Sequence, residues 1–140
     1  MPAKSAVAKI NKVASKGETD LNKIFRELVK IVDTYSPPLV YKKKSATGFE
    51  LHSIKDITFM KRQFTEMYFA SAMIRSSYVV FYFMPVYAKP DLLKSMPERL
   101  IKCMKGKSCF HFKNWDSEMN KMVKDAVKSG FECYKKIDFI

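Results

Sequence analysis

Apolar residues recur at helical spacing from Leu21 to Val32. Leu21, Ile24, Phe25, Leu28, Ile31 and Val32 form one stripe, with charged and polar residues between them. Positions three and four apart share a helix face, so this segment predicts an amphipathic helix buried on one side. Thr19 or Asp20 supplies the side-chain acceptor its first turn needs. Pro37 and Pro38 forbid its continuation. A second stripe, Met119, Met122, Val123, Ala126, Val127, Phe131 and Tyr134, predicts a closing helix that opens at Asp116. Gly130 is expected to weaken or end it, at about 1 kcal/mol relative to Ala. Glu118 with Lys121, and Asp125 with Lys128, stand three apart and are expected to pair on its outer face.

Between the helices the period changes. Residues 39–53, "LVYKKKSATGFELHS", predict two short strands around a Thr47-Gly48 turn, with Lys42, Lys43 and Lys44 pointing to alternate faces. Phe64 to Met84 reads as a hairpin turning at Arg75–Ser77. Its second strand is apolar on both sides: Val79, Phe81 and Phe83 on one, Tyr78, Val80, Tyr82 and Met84 on the other. Such a strand is covered twice or has one face lining a pocket. Pro85 ends the ladder, having no N–H to donate. Helical turns are expected at Asp91–Lys94 and Pro97–Met104, with Pro97 at a first helical position and Gly106 just past a helix end. "SCFHFK" then alternates as a strand. Phe110 and Phe112 face one way; Cys109, His111 and Lys113 face the other. The expectation is an α+β fold: a mostly antiparallel sheet of about five strands with helices packed on it.

Charge adds partners to this picture. The 140 residues carry a net charge of +12 from 26 basic and 14 acidic side chains. The two halves of the chain share it equally, 13 basic and 7 acidic side chains each, so it is no tail effect. Such a field favours an anionic small molecule, nucleic acid or protein. Residues 1–17 hold four Lys and no acid and read as a flexible basic arm, leaving residues 18–140 as a single domain. The longest apolar stretch, "YVVFYFMPVYA", is too short to span a bilayer, so no membrane partner is expected. Cys103, Cys109 and Cys133 are odd in number and lack a Cys-x-x-Cys spacing, which fits free thiols in a reducing cytoplasm.

The candidate chemistry centres on "KCMKGKSCFHFKNWD", residues 102–116. Gly106-Lys107-Ser108 matches the end of a phosphate-binding loop, but that motif needs another Gly five residues earlier, where Ile101 stands. The order is also reversed: a phosphate loop leads from strand into helix. Cys109 and His111 share a strand face. A zinc site needs three or four ligands, and His52, Cys103 and Cys133 offer no recognisable spacing. As a nucleophile pair the two are loosely spaced and lack an orienting acid. Tyr41, Tyr68, Tyr78, Tyr82 and Tyr87, interleaved with Lys42–Lys44, Lys105 and Lys107, fit either core and strand pairing or a surface on which single-stranded nucleic acid stacks.

The stretch from Met67 to Lys136 resembles the YdhG-like domain, a bacterial family mostly of unknown function. The ordered "MYFA", "MPVY" (Met84–Tyr87), "GKSCF" (Gly106–Phe110) and closing "GFECYKK" carry the resemblance. It implies a compact α+β domain with an antiparallel sheet covered by helices, and brings no catalytic residues with it. Some relatives are described as frataxin-like iron chaperones, a role that needs clustered carboxylates. This chain departs from that: its pI is about 9.6, and Glu27 and Asp33 sit beside Lys23, Arg26 and Lys30. The expected function is a non-catalytic binding or adaptor domain for an anionic ligand or partner, with an iron-handling role as the alternative. No resident cofactor is expected, iron aside. The candidate binding residues are Tyr41, Lys43, Tyr82, Lys107, Cys109, His111 and Lys113.

Overall fold

A computed structural model describes residues 19–140; the arm expected over residues 1–17 lies outside the described residues. The first stripe folds as α1, Leu21–Asp33. Asp20 caps it by accepting the Asn22 N–H at 2.9 Å. Ile24, Phe25, Leu28, Ile31 and Val32 are its buried positions, as the periodicity predicts. After the two prolines the chain enters β1, Val40–Lys44. The Ser45 hydroxyl accepts the N–H groups of Thr47 and Gly48 at 3.3 and 3.2 Å and closes the turn into β2, Gly48–Phe59.

Here the structure extends the pattern. β2 runs six residues beyond the expected end at Ser53 and returns as β3, Arg62–Ile74. Met60 and Lys61 form the connection, with φ of 52° and 63°. Both positive values match the two-residue hairpin turn whose twist suits the flanking strands. β4, Val79–Phe83, and β5, Cys109–Phe112, complete a sheet of order β1-β2-β3-β4-β5, antiparallel throughout.

The register assigns the two faces. Val79, Phe81 and Phe83 stand opposite Ile74, Ala72 and Ala70 of β3; Val79 and Phe81 also stand opposite Phe112 and Phe110 of β5. These residues face the helices. Leu51 pairs with Ala70 and the next residue, His52, with Tyr68, so Phe69 is an extra residue in β3. Such a bulge lets two successive side chains reach one side, and both Phe69 and Ala70 are fully buried. The helices share this face through one core that joins Phe25, Leu28 and Val123 to Phe49, Phe69, Phe81 and Phe110.

The link from β4 to β5 contains α2 (Pro85–Ala88), a 3-10 turn (Pro90–Ser95) and α3 (Glu98–Ile101). Pro97 precedes α3 as its cap instead of standing inside it. Gly106 does not end this helix. α3 stops at Ile101, and the Lys102 N–H closes it on the Glu98 and Leu100 carbonyls. Residues 103–105 then fold back along β5. Lys105 N–H donates to the Cys109 carbonyl and His111 N–H to the Cys103 carbonyl, both at 2.8 Å. Gly106, φ 158°, lies in the tip of this narrow loop. A strand follows Gly-Lys-Ser, so no helix N-terminus faces an anion there.

The final helix, α4 (Ser117–Lys136), passes through Gly130 without interruption, so of the two expected outcomes, weakening or ending, the glycine does not end it. The predicted outer pairs are also exchanged. Lys121 meets Asp125 at 2.9 Å, one turn on, while Glu118 turns to Arg99 of α3. Arg99 also grips Asp116 through two hydrogen bonds of 3.1 and 2.8 Å, and Asp116 caps α4 by accepting the Met119 N–H at 2.8 Å. The hydrogen bond from Arg99 holds the Asp116 carboxyl below its ordinary pKa. Its stabilisation is present above the unfolded carboxylate range and lost as pH falls through the lower folded value. Asp116→Ala is expected to cost about 1–2 kcal/mol in urea denaturation at pH 7, and to flatten the loss of stability below pH about 4. Equal stability of variant and parent at pH 7 would contradict the cap.

Candidate functional site

The second face of the sheet carries no described helix, since those of the structure pack together on the core side. Its residues alternate with the core set: Val40, Lys42 and Lys43 on β1, Glu50, His52 and Ile54 on β2, Glu66, Tyr68, Ser71 and Met73 on β3, Val80 and Tyr82 on β4, Cys109 and His111 on β5. Of the six large hydrophobic residues that stay exposed among the described residues, four, Val40, Ile54, Met73 and Tyr82, lie on it. β4 was expected to be covered twice or to line a pocket; instead its second face carries no described helix, and there Val80 is buried while Tyr82 is exposed.

The open face divides electrostatically. Across β1 to β3 the charges of Lys42, Lys43, Glu50 and Glu66 answer one another. His52 Nε2 is 3.2 Å from Glu50 Oε1 and its Nδ1 is 3.0 Å from Glu66 Oε2, the second contact misaligned for a hydrogen bond. Lys42 reaches Glu66 at 3.0 Å and Lys43 reaches Glu50 at 3.8 Å. The Lys42 hydrogen bond holds the Glu66 carboxyl below its ordinary pKa. The Tyr68 hydroxyl donates to Ser71 beside this network, and burial pushes the phenol upward. Two cations and two carboxylates cancel here.

Across β4 and β5 nothing cancels. Tyr78 stacks on His111 with ring centroids 4.0 Å apart and planes 14° from parallel. Burial, then the charges of Lys105 and Lys113, push the His111 pKa down. No carboxylate opposes them in that balance. Among the described residues, Lys105, Lys107 and Lys113 make no ion pair. Tyr82 stands opposite Ser71 on one side and Cys109 on the other, both small, and keeps 39% of its surface exposed. Burial pushes the Cys109 thiol up, and a hydrogen bond from Tyr82 opposes this in part. A thiol held in its protonated form is a poor nucleophile.

The seven residues singled out from the sequence therefore do not form one site. Tyr82, Lys107, Cys109, His111 and Lys113 gather at the β4–β5 end. Tyr41 and Lys43 lie on β1 at the other edge, four strand spacings or about 19 Å away. Tyr41 also faces the core side, where its hydroxyl donates to Asp33 at 2.7 Å and Lys44 lies 4.3 Å over its ring. Tyr78 and Lys105 belong at the site, and their place in the alternation of aromatic and basic residues marks both in the sequence. The His52 network was not visible there, because it joins residues brought together only by strand register. Among the described residues, no three or more His, Cys, Asp or Glu side chains converge to hold a metal ion. The clefts of the helical side mix charges of both signs. One of about 580 Å³ between α1 and α4 is lined by Lys30, Lys124 and Lys128 together with Glu27 and Asp125.

Fold and site together define an α+β domain with a five-stranded antiparallel meander, one face packed and one face open. In comparison with known proteins, no family model matches the chain, and neither does any curated protein or solved structure. None of the described helices is long and apolar enough to cross a membrane.

Proposed function

We propose that the protein is a cytoplasmic, non-catalytic binding domain of the YdhG-like kind, which takes an anionic partner at the β4–β5 end of its open sheet face. One observation carries this reading: the contrast between the two halves of that face. Lys42 and Lys43 are answered by Glu66 and Glu50, whereas Lys105 and Lys113 act on the Tyr78–His111 stack, Lys107 stands in the adjoining loop, and none of the three has an ion-pair partner among the described residues. Unanswered cations on a partly apolar surface bind anions with release of counterions. Binding is favoured over catalysis because Cys109 is raised, not lowered, in pKa and His111 stacks on a ring with no carboxylate to orient it. Three unpaired thiols suit a reducing compartment.

The test is polyphosphate binding followed against salt concentration. Replacing Lys105, Lys107 and Lys113 together by Gln is expected to weaken binding and to reduce the slope of log affinity against log salt by about 2–3, near one per lost phosphate contact. Replacing Lys42 and Lys43 by Gln should leave the slope almost unchanged. Equal effects of the two variants would remove the reason for placing the site at β4–β5.

A further inference from the structure

We infer that the anionic partner is single-stranded nucleic acid, lying across β4 and β5 with bases against Tyr82 and the Tyr78–His111 stack and phosphates against Lys105, Lys107 and Lys113. This rests on the anion-binding reading above and adds the chemistry of the ligand. A purely charged ligand has no use for the rings. The site offers them in a particular arrangement. Tyr82 is the exposed ring, flanked in register only by Ser71 and Cys109, so neither neighbour fills the space over its face. Tyr78 stands just before β4 and its ring lies on His111, which pairs with Val80, so this second platform is set roughly 7 Å along the sheet from Tyr82 and one strand over. Two bases of an extended chain have room to stack separately. The lysines stand at the margin: Lys113 just past β5, Lys105 and Lys107 in the loop that folds back on it.

Aromatic rings on a sheet with cations along the margin form the stacking platform on which unpaired bases are held. A duplex is unsuitable, because its bases are already stacked and their faces closed. The three cations placed against the phosphates are Lys, which act as point charges and lack the bidentate fork that reads guanine; Arg75 stands in the turn before Tyr78. The platform is therefore expected to tolerate sequence and to choose single strands over duplex.

Fluorescence anisotropy with labelled dT12, rU12, a 12-base-pair duplex and polyphosphate tests this at fixed salt. The single strands are expected to bind more tightly than the duplex. Tyr82→Ala should weaken single-strand binding about tenfold, the loss of one stacked base. Tyr82→Phe should retain binding, which separates stacking from any role of the hydroxyl. Polyphosphate binding should ignore Tyr82→Ala and fall in the triple lysine variant. If single strands bind but are indifferent to Tyr82→Ala, or if duplex binds equally well, the nucleic-acid assignment fails while the anion site stands. If neither polyphosphate nor oligonucleotide binds, both readings fail. Tyr82 is exposed, and an unchanged melting temperature for each variant confirms that the fold is intact.

Discussion

Gly130→Ala is expected to destabilise the protein by about 2–3 kcal/mol, although alanine is the better helix former by about 1 kcal/mol. The reason is a close approach of α4 to the sheet. A Cβ added at Gly130 would overlap Phe83 Cζ and come within 3.0 Å of Phe83 Cε2 and Pro85 Cβ. Phe83 cannot swing aside. It is 1% exposed, lies against Phe81 at 5.8 Å and meets the edge of Phe69 at 5.5 Å. Pro85 starts α2 and is tied by its carbonyl to the Lys89 N–H at 2.8 Å. Urea denaturation should show a lower midpoint with an unchanged m-value. Phe83→Leu introduced together with Gly130→Ala should recover part of the loss, giving a coupling energy between the two sites. A neutral or stabilising Gly130→Ala would show that the helix does not lie this close to β4.

Phe69→Ala is expected to cost more, about 3–5 kcal/mol, as a fully buried aromatic replaced by a methyl group. Phe69 is the extra residue of the β3 bulge and contacts Phe83, Phe131 and Tyr134 at centroid distances of 5.5, 6.4 and 5.4 Å. It therefore joins the sheet to α4 at several points. The adjacent Tyr68 carbonyl accepts the buried Tyr134 hydroxyl at 2.6 Å, which fixes the same junction. Phe69→Leu keeps most of the volume and should cost less than half as much. A loss below about 1 kcal/mol for Phe69→Ala would mean that the bulge does not bring this ring into the core.

The long helices were legible because their burial is one-sided. The stripes at Leu21–Val32 and Met119–Tyr134 hold the buried positions of α1 and α4 apart from Gly130, with Leu21, Ala126 and Phe131 half-buried beside them. The alternation of "SCFHFK" is equally plain: Phe110 and Phe112 are buried while Cys109 and His111 are not. Gly130 was misread because propensity describes an isolated helix, whereas this glycine answers to the ring beneath it. The second half of β2 stayed hidden because its turn uses Met60 and Lys61 where Asn-Gly would announce a hairpin. Gly106 was placed correctly as the entry to a strand and wrongly as the end of a helix, because the fold-back of residues 103–105 leaves no periodic mark. The site was half legible. Alternating aromatic and basic residues pointed to the sheet, but only the register shows that Lys43 has an acidic partner and that Tyr41 turns to the opposite side.

The strand order described above governs how the chain assembles. Each strand is bonded to the one that follows it in the chain, and only residues 45–47, 60–61 and 75–78 separate the first four. Closing such short loops costs little entropy, and sheets built from local pairings form faster than those that must first join distant segments. The β2–β3 pair, the longest ladder of the sheet, is the natural nucleus. Growth from it proceeds outward in small steps until β5, whose arrival waits on the ordering of residues 84–108. The β4–β5 edge with its lysines thus becomes complete last, and a chain arrested before that step would have a sheet without the surface proposed to bind.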